Sequence, residues 1–188
     1  MRIISGNLKR RALISPKDMS IRPTTDRQRE SLFNILRNMN VVIDAKVLDL
    51  YAGTGALGIE AFSRGAGYIV FIDNSIQSIR LIKRNIQQLQ IEHSTKVIKC
   101  NILNSLACLD CQDEKVFDLI LMDPPYRHSY INKTLCNIVN QQCLDINTII
   151  VAEHAADEII SVPDNIKQFD TRKYGNTKLS FFQLLNNP

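Results

Sequence analysis

Between residues 45 and 155, short apolar runs alternate with stretches whose apolar residues recur every three or four positions. The runs Lys46 to Leu50, Tyr68 to Ile72, Lys96 to Cys100, Phe117 to Met122 and Thr148 to Ala152 have the length and composition of buried strands. After Asn74, residues Ile76, Ile79, Ile82, Ile86 and Leu89 fall on one helical stripe. Strands and helices alternating in this way build βαβ units, so the chain is read as an α/β protein whose parallel sheet carries helices on both faces. The tail breaks the alternation. Gln168 to Lys173 and Lys178 to Leu185 flank Tyr174-Gly175-Asn176 with no helix between them, which predicts an antiparallel hairpin at one sheet edge. At the other end, two runs around Gly6-Asn7 predict a β-hairpin. Thr25-Asp26-Arg27-Gln28 then reads as a capping box before a helix bearing Leu32, Phe33, Leu36 and Met39 on one face.

With 188 residues, 45% of them hydrophobic and 22% charged, the chain suits one globular domain and excludes disordered, collagen-like or low-complexity architecture. A hairpin and linker over 1–24 and a main domain over 25–188 are expected. No stretch approaches the roughly 18 apolar residues of a membrane span, and early cations leave no room for a signal-peptide core, so a cytoplasmic protein without membrane contact is expected. Five cysteines, an odd number, suit reduced thiols rather than a disulfide framework. Cys108-x-x-Cys111 is half of a zinc site without a second pair, in surroundings that suggest a core helix, so no metal is expected. The net charge of +4 is unevenly spread. Residues 1–30 hold eight Lys or Arg against three acids, leaving the other 158 residues slightly negative. A basic arm on a near-neutral body suits contact with a polyanion.

Four successive predicted strands end in a short polar residue: Asp49, Asp73, Asn101 and Asp123. The carboxyl ends of parallel strands line the crevice where such sheets bind ligands. After the first strand, Gly53, Gly55 and Gly58 satisfy a dinucleotide fingerprint, with Asp73 where a ribose-binding carboxylate belongs. Taken alone, the motif fits NAD or S-adenosylmethionine. Asp49 at the mouth of the turn suits an ammonium group better than a pyrophosphate and tilts the choice toward S-adenosylmethionine.

Asp123-Pro124-Pro125-Tyr126 is the most informative segment. At ordinary proline usage a Pro-Pro pair falls at roughly 0.25% of positions. Two prolines fix φ and remove two N–H donors, leaving a rigid turn of acceptors beside a carboxylate and an aromatic ring. That set suits a planar base with an exocyclic amine, which donates to Asp123 and the Pro124 carbonyl while Tyr126 stacks on the ring.

These residues resemble class I S-adenosylmethionine-dependent methyltransferases that modify exocyclic amines. Arg2-Ile-Ile-Ser-Gly6, Arg22-Pro-Thr-Thr-Asp-Arg-Gln-Arg-Glu30 with Leu32-Phe33-Asn34, Asp49 through Gly58, Asp123 through Tyr126, and Tyr174-Gly175 together resemble the RsmD family of 16S rRNA guanine-N2 methyltransferases, nearly end to end. The resemblance implies a Rossmann-like seven-stranded, mostly parallel sheet with its last strand antiparallel, plus an N-terminal β-hairpin extension that touches RNA. It implies S-adenosylmethionine as cofactor, with Asp49, Gly53 and Gly55 at its methionine part, Asp73 at the ribose hydroxyls and Asn101 at the adenine amine, and with Tyr51, Asn74 and Ile102 also binding the cofactor. Asp123, Pro124, Pro125 and Tyr126 become the catalytic loop. Arg2, Lys9, Arg10, Arg11, Arg22 and Arg27 become RNA contacts, and the partner is 16S rRNA or an assembling small ribosomal subunit, met by a monomer. Tyr51 stands where relatives often carry Phe.

Alternatives stay open from sequence. A DNA adenine-N6 methyltransferase could use the same loop, although 188 residues leave no extra target-recognition domain. An NAD oxidoreductase lacks a visible catalytic His-acid pair. A non-catalytic RNA-binding module would bind cofactor without transferring a methyl group. Glu60 is read as packing near the glycine turn, His128 as a polar loop residue, and His93 and His154 as having no partner by spacing.

Overall fold

The computed structural model describes residues 1–15, 26–109, 116–126, 128–140 and 144–185. Its elements are α1 (Asp26–Asn38), β1 (Lys46–Leu50), α2 (Ala56–Ser63), β2 (Tyr68–Asp73), α3 (Ile76–Leu89), β3 (Thr95–Lys99), β4 (Leu119–Met122), α4 (Tyr130–Val139), β5 (Ile149–Ala155), β6 (Ile166–Tyr174) and β7 (Thr177–Leu184). One seven-stranded sheet runs in the order β3-β2-β1-β4-β5-β7-β6. The first five strands are mutually parallel, and β7 enters antiparallel between β5 and β6. The tail hairpin is therefore real, and its last strand sits inside the edge.

Side chains alternate across the sheet with the two-residue period of strands. One face carries Val47, Ile69, Phe71, Leu121, Val151 and Phe181 and packs on α1, α2 and α3 through Phe33, Leu36, Ile59, Ile82 and Ile86. The other carries Leu48, Val70, Ile120, Ile150 and Phe182 and packs on α4 through Ile131, Leu135 and Ile138. The α3 stripe is shorter than the periodicity predicts: Ile76 is exposed at the helix start, while Ser78 and Asn85 join the buried face. Thr25, the first residue of the capping box, lies outside the described residues. Among the described residues, no helix is long and apolar enough to cross a membrane.

The N-terminal hairpin forms, but only as one antiparallel bridge, Arg2 with Ala12, closed by a wide turn. Its shape is set by docking on α2. Asn7 N–H donates to the Ser63 carbonyl at 2.7 Å and Leu8 N–H to Ser63 Oγ at 3.0 Å. Ile3 and Leu13 are buried in the core, and each contributes roughly 1.5–3 kcal/mol to holding the extension down.

The cysteine expectation is corrected. Cys100 and Cys108 form a disulfide, Cys136 is free and exposed, and Cys111 and Cys143 lie outside the described residues. Among the described residues 101–109, no helix forms around Cys108. Asn101 Oδ1 takes the Leu103 N–H and Ser105 Oγ takes the Ala107 N–H, local bonds that compete with helical ones and curl residues 101–107 back toward the strand end.

Candidate active site at the strand ends

The sheet order places β3, β2, β1 and β4 side by side and parallel, so Asn101, Asp73, Asp49 and Asp123 follow one another along a single edge. The order reverses between β1 and β4, the switch point where open α/β sheets hold ligands.

The turn after β1 is organised by two carboxylates. Asp73 accepts the Gly53 N–H at 2.9 Å through Oδ2 and the Ser75 N–H at 2.8 Å through Oδ1. Asp49 accepts the Gly58 N–H at 2.9 Å through Oδ2 and is only 1% exposed. Burial pushes the Asp49 carboxyl up to about 7, against the pull of the Gly58 hydrogen bond, with the Asp73 charge adding to the rise. Gly55 begins α2 at φ 79°, a left-handed conformation open to glycine at little cost. A Cβ at Gly58 would overlap Phe71 of β2, so this glycine lets the helix lie close on the sheet.

Tyr51 takes φ 58° at the end of β1, and its hydroxyl meets Thr134 Oγ1 of α4 at 2.6 Å. Its ring lies near-parallel to Tyr130, centroids 6.2 Å apart, and His128 stacks on Tyr130 at 5.1 Å. Burial pushes the Tyr51 phenol up to about 12. Asn101 is exposed, with Oδ1 accepting from Leu103 N–H, so one lone pair expected to serve an adenine amine is taken. Ile102 is buried and its carbonyl accepts from Asn137 Nδ2 of α4 at 2.7 Å.

Across the switch point, Asp123 is half-buried, Pro124 buried, Pro125 exposed and Tyr126 half-buried. The Tyr126 hydroxyl donates to Glu153 Oε1 at 2.6 Å and lies 3.4 Å from Thr177 Oγ1. Between the extension and α1, Arg2, Lys9, Arg10 and Arg27 border a cavity of about 370 Å³ together with Asp26 and Glu30. Arg11 is exposed nearby in the sequence, and Arg22 lies outside the described residues.

A family model described as Conserved hypothetical protein 95 matches residues 1–183. A protein of Buchnera aphidicola subsp. Acyrthosiphon pisum named Ribosomal RNA small subunit methyltransferase D is 34% identical over 163 residues, covering 87% of this chain and 82% of that one. The Escherichia coli K12 protein of the same name is 32% identical over 166 residues, covering 88% and 80%. The solved Escherichia coli yhhF structure superposes with TM-score 0.84 at 30% identity, covering 98% of this chain and 97% of that one. The chain belongs to the RsmD family of methyltransferases.

In this RsmD-family chain, the arginine-rich block that carries the resemblance is partly internal. Arg29, counted in the basic arm, is fully buried. Its guanidinium donates to Asp26 Oδ1 at 2.9 Å and to the Arg2 carbonyl at 2.8 Å, with Nε 3.9 Å from Glu60 Oε2. Glu60 of α2 accepts the Ile4 N–H at 2.8 Å, the Ser5 N–H at 3.1 Å and Arg64 Nε at 2.7 Å. Asn85 of α3 completes the join, since its side chain accepts from Ile14 N–H and donates to the Thr54 carbonyl within the glycine turn. Sequence reasoning placed Glu60 near the turn but missed Asn85, Asn137 and Glu153. Asn85 sits beside Ile82 and Ile86 on the buried stripe of α3 and Glu153 follows an apolar strand run, which is the signal that could have found those two; Asn137 carries no such signal. His154, without a partner by spacing, is buried between Ala155 O and Ser180 Oγ, both at 2.9 Å.

Proposed function

We propose that the chain transfers a methyl group from S-adenosylmethionine to the exocyclic N2 amine of a guanine in small-subunit rRNA. The observation that carries this reading is the Asp123-Pro124-Pro125-Tyr126 loop at the end of β4, directly beside the glycine turn of β1, in a chain whose relatives bear the name Ribosomal RNA small subunit methyltransferase D. The residues of the turn fit this cofactor. Two carboxylates, Asp49 and Asp73, lie at the turn and suit a molecule carrying an ammonium, a sulfonium and ribose hydroxyls, whereas a pyrophosphate would meet repulsion. Asp73 and Asn74 would serve the ribose, Asn101 and Ile102 the adenine, and Tyr51, Gly53 and Gly55 the methionine end.

When bound, the cofactor supplies a methyl group on a sulfonium, an electrophile needing no further activation. The chain's own residues do the aligning. Asp123 and the Pro124 carbonyl accept from the protons of the guanine amine, which localises its lone pair and stabilises the positive charge that develops on nitrogen. Tyr126 covers the face of the base. The guanine must leave its stack to reach the loop, at an expense of a few kcal/mol that is smallest in an unpaired segment. Arg2, Lys9, Arg10, Arg11, Arg22 and Arg27 would contact neighbouring phosphates, with four of them grouped around the cavity between the extension and α1.

The test is transfer of labelled methyl from S-adenosylmethionine to small-subunit rRNA, assembled small subunits and duplex DNA side by side. Label on rRNA or subunits is expected. Label on DNA instead, or cofactor binding without transfer to any of the three, contradicts the proposal.

A further inference from the structure

Strand β5 is buried along its whole length, and directly after its run of Ile149, Ile150, Val151 and Ala152 it carries a carboxylate, Glu153, at 5% exposure. A carboxylate in such a place is costly unless it is strongly hydrogen-bonded. Glu153 Oε1 takes the Tyr126 hydroxyl at 2.6 Å, within the range of charge-assisted O–H···O⁻ bonds. Thr177 at the start of β7, itself buried, stands 3.4 Å from the same hydroxyl. Two observations thus meet on one ring. Pro124 and Pro125 stiffen the backbone that leads into Tyr126, and the sheet holds the far end of its side chain.

We propose that Glu153 is a positioning residue for methyl transfer, fixing the plane of the Tyr126 ring against which the target base stacks. The inference rests on the reading of the site as a base-methylating one. The phenol serves as donor to Glu153: burial first, and then the carboxylate beside it, hold its ionisation above the ordinary phenol value. Tyr126 therefore offers the base its ring face while its hydroxyl is occupied by the sheet. A ring fixed at both ends presents the same face to each incoming base. A ring released at the hydroxyl turns about two side-chain torsions, and the amine loses its alignment with the methyl group.

The experiment compares Glu153→Leu, Glu153→Gln, Tyr126→Phe and the double variant Tyr126→Phe/Glu153→Leu. It measures kcat and KM on small-subunit rRNA or subunits, S-adenosylmethionine affinity by calorimetry, and the melting temperature. Glu153→Leu is expected to lower kcat roughly tenfold to hundredfold while cofactor affinity stays within about twofold. Glu153→Gln keeps a carbonyl acceptor for the phenol and is expected to recover activity to within about threefold of the parent. Tyr126→Phe removes the same bond from the other side, and the double variant is expected to be no slower than Tyr126→Phe alone. Should Glu153→Leu fail to fold, Glu153→Gln and Tyr126→Phe still test the contact. The inference is overturned by unchanged kcat in Glu153→Leu, by parallel losses of kcat, cofactor affinity and melting temperature that Gln does not repair, by losses that add in the double variant, or, without a foldable Glu153→Leu, by unchanged kcat in Tyr126→Phe. A parent chain that methylates none of these RNAs overturns the reading of the site and this inference together, whereas an active parent with an indifferent Glu153 overturns the inference alone.

Discussion

Replacing Glu60 by Gln removes one negative charge and one acceptor oxygen from the junction where the N-terminal extension meets α2. In the parent chain the carboxylate accepts from Ile4 N–H, Ser5 N–H and Arg64 Nε and faces the fully buried guanidinium of Arg29. An amide has one acceptor oxygen for these donors, and its NH₂ group must confront at least one of them. Removing one partner of a buried ion pair costs about 3–5 kcal/mol, because the remaining charge stays desolvated. Asp26 also contacts Arg29, at 2.9 Å, which places the expected loss at the lower end of that range. For a chain of this size each kcal/mol moves the melting temperature by about 2–4 °C, so Glu60→Gln is expected to lower it by roughly 6–12 °C. Calorimetry measures the shift, and hydrogen exchange at the Ile4 and Ser5 amides locates it, since both should lose protection if Glu60 pins the extension. A shift below about 2 °C with both amides still protected would refute the idea that this carboxylate holds the extension to the catalytic domain.

Neutralising Lys9, Arg10 and Arg11 to Ala is expected to weaken rRNA binding and reduce the slope of log affinity against log salt by about 1 for each phosphate no longer neutralised; an unchanged slope removes the extension from the RNA interface. The pH dependence follows from Asp49, whose folded value of about 7 lies above its unfolded one of 3.8. A carboxyl shifted upward takes up protons on folding, so its contribution to the stability of the cofactor-free chain falls as pH rises from about 4 to 7 and then levels off. Cofactor affinity should move the opposite way, rising roughly threefold to tenfold between pH 5.5 and 7 as Asp49 gains its charge, with a flat profile in Asp49→Asn; calorimetric titration across that window checks it. Reducing the Cys100–Cys108 disulfide, which brackets Asn101 and Ile102, is expected to cost about 2–3 kcal/mol of stability for so short a loop, and melting with and without dithiothreitol measures it.

The strand-end row of Asp49, Asp73, Asn101 and Asp123 was legible in the sequence because each residue falls at or next to the end of an apolar run, and parallel topology then aligns the ends without further information. The expected Lys46–Leu50 strand keeps its bounds, whereas other strand boundaries moved by one to three residues, as for β5, which continues past Ala152 through Glu153 and His154 to Ala155. Periodicity could not show why those polar residues stay in a buried strand. The reason is tertiary: Tyr126 and Ser180 lie 27 and 26 positions away in the sequence. Likewise the charge of Arg29 was visible and its burial was not, because the partner that makes burial tolerable, Glu60, comes from another helix. The disulfide escaped for a different reason. Composition weighs the number of cysteines, whereas the loop after β3 alone decides that Cys108 returns to Cys100.

The identity of the methylated nucleoside decides whether the chain is a guanine-N2 methyltransferase. Small-subunit rRNA lacking the modification would be treated with the chain and S-adenosylmethionine, digested to nucleosides and analysed by mass spectrometry, with Asp123→Ala in parallel and its cofactor affinity measured separately. N2-methylguanosine is expected from the parent chain, and none from Asp123→Ala even though that variant still binds cofactor. A methylated adenine, or undiminished N2-methylguanosine from Asp123→Ala, would contradict this expectation.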